Sequence, residues 1–183
     1  YNMALKIYTG DIDPYNLVVS AFGKRVKPIV SDVYYNRGTA HIFKDQYDLA
    51  IEDFNRAIAI SAMDSDSYNN RGVAYSKKGE YERAILDFDV AIALNREFTY
   101  AYKNRGTAHL ATGKYDQAID DFKWVTRLNP ELTMPYYDTA IAYEKSGRIK
   151  EAIRAYKKFI SNAPPQYESY IAQAREKINE LSK

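Results

Sequence analysis

Apolar and polar positions follow a helical period along most of the chain, and the period is broken at regular intervals. Tyr47, Ala50, Ile51 and Phe54 are spaced as one helical face, as are Tyr115, Ala118, Ile119 and Phe122, with charged residues between them. Gly79, Gly113 and Gly147 stand where a first helix should end in a left-handed residue, and Asp45 takes the place of glycine at the first such break. Ser31, Ser65, Thr99 and Thr133 are suited to capping the free amide groups of helix starts. Pro135 fits inside a first turn, whereas Pro130 and Pro164 stop the helices before them. The pattern predicts pairs of amphipathic helices in series.

Sliding the chain along itself by 34 residues brings Tyr34, Tyr68, Tyr102, Tyr136 and Tyr170 into one column. Gly38, Gly72, Gly106 and Ala140 form a second column, Ala50, Ala84, Ala118 and Ala152 a third, and Phe54, Phe88, Phe122 and Tyr156 a fourth. Small residues let two helix backbones approach, and aromatic ones fill the wider space beside them. Arg37, Arg71 and Arg105 occur in the units that carry Asp53, Asp87 and Asp121, while the fourth unit has Thr139 and Ala155 at both places. This joint appearance and loss predicts a guanidinium on each first helix reaching a carboxylate on the second.

These columns resemble the tetratricopeptide repeat family, which has an aromatic residue at repeat position 4, glycine at 8, an aromatic at 11, alanine at 20, an aromatic at 24, alanine at 27 and proline at 32. Here position 11 is His41, Tyr75, His109 and Tyr143, position 27 is Ala57, Ala91, Val125 and Phe159, and proline at 32 occurs in the last two units. The strings YYNRG, YNNRG and YKNRG put arginine at position 7, where the family more often has leucine. The resemblance covers residues 31–166 as four units, 31–64, 65–98, 99–132 and 133–166. It implies an all-α, right-handed superhelical solenoid whose first helices line a concave groove, and that groove commonly holds an extended or helical peptide.

Both ends depart from the repeat. Residues 167–183 keep Tyr170 and Ala174 in register and place Ile171, Ile178 and Leu181 near one face, which predicts a capping helix. Residues 1–30 do not fit the repeat and read as a helical N-terminal segment, either an irregular cap or an arm.

The resemblance puts repeat position 6 in the groove, and this column reads Asn36, Asn70, Asn104 and Asp138. An amide side chain both donates and accepts, so a ladder of asparagines can grip a peptide backbone; the alternative is that they bridge adjacent helices. Asn36 to Asn104 should span roughly 20 Å, about six extended residues. Position 5 adds Tyr35, Asn69, Lys103 and Tyr137, position 9 adds Thr39, Val73, Thr107 and Ile141, and Ile42, Phe43, Lys77 and Lys145 lie further along. On this reading, alanine at Asn70 and Asn104 weakens ligand capture and leaves thermal unfolding nearly unchanged. The branch of the family that grips chaperone tails uses lysine at position 5, asparagine at 9, asparagine at 6, then lysine at 2 with arginine at 6. This chain has Tyr35 and Thr39, then Asn70, then Tyr100 and Asn104, so such tails are not the expected ligand.

Composition narrows the function further. Hydrophobic residues make up 46% and charged residues 27%, within the range of globular chains, and tyrosine is abundant at 18. No apolar run is long enough to span a membrane, no signal-peptide pattern opens the chain, and a net charge of +2 is too small to advertise nucleic acid. There is no cysteine for a disulfide, a thiolate metal site or a nucleophile. His41 and His109 hold equivalent positions two units apart, too far to share a metal, and read as substitutes for the aromatic at that position. No phosphate-binding glycine loop and no converging polar set nominates catalysis. The expectation is a protein-interaction module without cofactor or metal, binding a peptide-like segment of a partner protein. The alternative is a scaffold that self-associates through its ends and N-terminal segment. Net charge rises unit by unit, from three excess acids over 31–64 to three excess bases over 133–166, which could orient either kind of contact.

Overall fold

The computed structural model describes residues 27–183, so the expectation for residues 1–26 lies outside the described residues. Within them the chain folds into nine α-helices and no strand: α1 Lys27–Phe43, α2 Tyr47–Ile60, α3 Ser65–Lys77, α4 Tyr81–Leu94, α5 Thr99–Ala111, α6 Tyr115–Leu128, α7 Met134–Lys145, α8 Ile149–Asn162 and α9 Glu168–Leu181. A short 3-10 turn, Pro165–Tyr167, precedes α9. Each helix packs on the one before and the one after, and the first helices of successive pairs also touch, α1 with α3, α3 with α5 and α5 with α7. The helices α1, α3, α5 and α7 therefore form an inner layer.

The columns become the core. Phe54, Phe88 and Phe122 and the alanines at 50, 84, 118 and 152 are fully buried. At Gly72 and Gly106 a Cβ atom would sit 2.7 Å from the ring of Phe88 or Phe122, so the close approach of paired helices requires glycine there. The fourth pair carries Ala140 and has Tyr156 in place of phenylalanine, and there Tyr156, Phe159 and Tyr170 pack edge-on around Tyr137 at ring separations of 5.2–5.5 Å. Gly79, Gly113 and Gly147 have φ of 79°, 76° and 77°, and Asp45 has φ of 56°, so every mid-pair break uses a left-handed residue. Ala174 is buried, and Ile171, Ile178 and Leu181 of α9 pack onto the cluster of the fourth pair.

Helix starts differ from expectation. Ser31 lies inside α1, four residues past its start, and its hydroxyl donates to the Ala57 carbonyl at 3.2 Å, tying α1 to the end of α2. At α3 the cap is Asp64, whose carboxylate accepts from the Asp66 amide, while Thr133 precedes α7 without a side-chain capping bond. A carboxylate one residue earlier outcompetes Ser65 because it accepts more strongly at the positive end of the helix dipole.

Candidate peptide-binding groove

The motif tyrosine, any residue, asparagine, arginine builds a repeated clasp. Arg37, Arg71 and Arg105 each donate two bonds to Asp53, Asp87 and Asp121, at 2.7 and 2.6 Å, 2.8 and 2.6 Å, and 3.0 and 2.6 Å. The tyrosine three residues earlier lies against each guanidinium, at 5.5, 5.4 and 5.5 Å from ring centre. Arg71 also bonds Asn55 at 2.6 Å and Arg105 bonds Asp89 at 2.5 Å, each on the second helix of the preceding pair. Burial alone would depress the Arg105 guanidinium, but its bonds to Asp121 and Asp89 more than reverse this and hold it above its ordinary value. These side chains lie between first and second helices and lock the stack.

All the residues expected in the groove lie on α1, α3, α5 and α7. Asn36, Lys77, Lys103 and Thr107 are exposed; Tyr35, Thr39, Asn70, Val73, Asn104, Asp138 and Ile141 are partly buried. Asn69 and Tyr137 are interior, at 6% and 9% exposure. Tyr137 belongs to the fourth-pair cluster and donates its hydroxyl to Gln173 on α9 at 3.1 Å, so it is a packing residue. Asn69 is consumed by the amide column itself.

That column bridges the helices in a fixed step of 35 residues. Asn70 Nδ2 donates to the Tyr35 hydroxyl at 3.1 Å and Asn104 Nδ2 donates to Asn69 Oδ1 at 3.0 Å, while Asn69 Nδ2 donates to Asn70 Oδ1 at 3.0 Å. The chain of bonds joins α1, α3 and α5, so much of the amide capacity is spent on stacking, and thermal unfolding will not be indifferent to its loss. Asp138, next in the column, has the charge of Lys103 nearby, again 35 residues back; burial, only partly opposed by Lys103, pushes its carboxyl up to about 6.

Two cavities that the sequence did not suggest flank this face. One, of about 640 Å³, is lined among the described residues by Ser31, Asp32, Tyr35, Ile60, Ser61, Asp64 and Asp66, three carboxylates and no cation. Burial pushes the Tyr35 hydroxyl up, as does the charge of Asp66; burial and the charge of Asp64 push Asp66 up in turn. The other, of about 420 Å³, runs from Tyr100 and Lys103 past Leu132 and Met134 to Tyr167. Tyr100, 69% exposed, occupies repeat position 2, where the other units have Asp32, Asp66 and Met134, and a lone aromatic off the packed columns was the signal available for it. Among the described residues no group of three or more histidine, aspartate or glutamate side chains could hold a metal ion. No helix among them is long and apolar enough to cross a membrane.

Family models described as tetratricopeptide repeat match residues 65–98, 99–132 and 136–165, and one described as TPR repeat matches 44–79. The chain belongs to the tetratricopeptide repeat family. No curated protein matches it in sequence. Among solved structures, the crystal structure of MamA is 24% identical, with a TM-score of 0.72 over 86% of this chain and 91% of that one, a likeness of fold. The first TPR of Spaghetti (RPAP3), bound to the HSP90 peptide SRMEEVD, is 25% identical with a TM-score of 0.63, covering 64% of this chain and 94% of its own. The second TPR of Spaghetti, bound to the same peptide, is 32% identical with a TM-score of 0.56, over 58% of this chain and 97% of that one.

Proposed function

We propose that this tetratricopeptide array is a binding scaffold, not an enzyme, and holds an extended segment of a partner polypeptide along the face of α1, α3, α5 and α7. The observation that carries the reading is the continuous inner layer of first helices, with Asn36, Lys77, Lys103 and Thr107 exposed along it and a cavity toward either end. The two Spaghetti domains, each holding a peptide, support it. The ligand differs from theirs in charge: the carboxylates of Asp32, Asp64 and Asp66 favour a basic side chain at the α1 end, where SRMEEVD would bring acids. Tyr100 and Leu132 supply an apolar seat near the other end, where an aromatic ring contributes area at small entropic cost.

The test is a pair of labelled peptides, SRMEEVD and a counterpart with its three acids replaced by lysine, followed by anisotropy and by hydrogen exchange of the complex. The lysine peptide should bind roughly tenfold more tightly at low salt, and protection should fall on α1, α3, α5 and α7. Protection confined to Glu52, Leu86 and Asp120 on the second helices would remove the groove from the account. The graded net charge supports a second reading, end-to-end association of copies. Light scattering decides it, because a mass that stays monomeric across concentration and salt leaves no such assembly.

A further inference from the structure

His41 and His109 are two copies of one site. Each stands on the last turn of a first helix, and the residue five positions on bonds back to its carbonyl, Gln46 to His41 at 2.9 Å and Lys114 to His109 at 2.8 Å. In each copy Nε2 lies 3.8 Å from the facing aspartate, Asp53 or Asp121, which the neighbouring arginine holds through two bonds. The copies diverge at the other ring nitrogen. Gln46 Oε1 lies 2.7 Å from His41 Nδ1. Lys114, at the corresponding place, has no side-chain acceptor to offer, and His109 Nδ1 is buried without a hydrogen-bond partner among the described residues, in a side chain 11% exposed.

We propose that His109 makes the central hairpin, α5 with α6, a proton-sensitive element that acid loosens and neutral pH closes. A protonated imidazole has an N–H on both nitrogens. At His41 both would point at acceptors. At His109 the Nδ1 proton would be buried and unmatched, and the new charge would face Arg105 from α5 and Lys114 from the turn. Asp121 from α6 and Asp89 from α4 are the acids that act on it, and both already accept bonds from Arg105. At Nε2 an imidazolium would share the Asp121 carboxylate with Arg105 and draw on the clasp that joins α5 to α6, and at Nδ1 its proton would still find no acceptor. Burial, with Arg105 and Lys114 adding to it and Asp121 opposing, holds His109 below its ordinary value. The sign follows: the unfolded chain binds this proton more readily, so stability is full above the unfolded histidine value of about 6.5 and is lost as pH falls below it. Lys103, Asn104 and Thr107 ride on α5, so a groove-bound ligand would be released with the hairpin; that consequence alone rests on the groove reading.

The experiment uses the full chain without ligand, so it is independent of what the groove holds. Lys114→Gln gives His109 the acceptor that His41 has, and with two histidines in the chain the proton resonances can be assigned by His41→Asn. Lys114→Gln should move the His109 titration to higher pH. Amide exchange in α5 and α6, corrected for intrinsic rates, should accelerate roughly fivefold more between pH 7.5 and 5.5 than in α3 and α4, whose hairpin has Tyr75 at this place, and Lys114→Gln should remove most of that excess. Asp138 titrates in the same window with opposite sign but is common to both proteins and cancels. A His109 titration indifferent to Lys114→Gln, or equal acceleration of the two hairpins, overturns the proposal.

Discussion

At Arg105 one guanidinium spans three helices, with two bonds to Asp121 across its own hairpin and a third to Asp89 on the preceding one. Removing it leaves Asp121, 5% exposed at its side chain, as a buried charge without its partner. Arg105→Ala should therefore cost about 3 kcal/mol in denaturant unfolding, and the double change Arg105→Leu with Asp121→Leu should recover most of it. The pair was legible because arginine and aspartate come and go together between units. The bond to Asp89 was not, because its column reads Asn55, Asp89, Lys123 and carries no constant chemistry. Asp138 presents the reverse balance: with its folded value raised to about 6, the folded chain holds a proton that the unfolded chain releases near 4, so its contribution is best at low pH and lost as pH rises through 6. Asp138→Asn should raise the melting temperature at pH 7.5, by an amount on the order of 1 kcal/mol after allowing for its partial exposure, and the gain should vanish by pH 4.

The elements owe their close packing to one kind of glycine and their boundaries to another. Gly72→Ala would push a Cβ to 2.7 Å from the Phe88 ring, forcing α3 away from α4, and should cost about 1–3 kcal/mol in thermal unfolding. Gly79→Ala meets open space and carries only the left-handed strain, about 1 kcal/mol, so calorimetry on the two variants separates packing from backbone conformation. The breaks at 45, 79, 113 and 147 were readable from residue type alone. Helix starts were less so, since Ser31 is a buried bridge to Ala57 and Asp64 does the capping expected of Ser65. A hydroxyl serves either purpose, and which one it serves depends on what lies opposite.

Across the whole molecule, the amide column ties successive hairpins while lying on the face expected to bind. Asn104→Ala would orphan Asn69 Oδ1 in a residue 6% exposed, so it should lower the melting temperature by an amount corresponding to about 1–3 kcal/mol, and ligand affinity should fall with it. A melting curve unchanged by Asn104→Ala would return the ladder to a purely ligand-facing role.

The periodicity of 34 residues, and with it the helical class, the hairpin breaks, the buried alanine and phenylalanine columns and the arginine clasp, was determined by sequence alone, because each depends on contacts within one hairpin that recur with every copy. The tertiary structure alone decided that Asn69 and Tyr137 turn inward, that an acidic and an aromatic cavity flank the inner face, and that His109 lacks the acceptor His41 has. Those outcomes arise between hairpins, from pairs 35 residues apart such as Tyr35 with Asn70, or from a turn residue meeting a buried ring, where the side chains vary from unit to unit and no column announces which will meet.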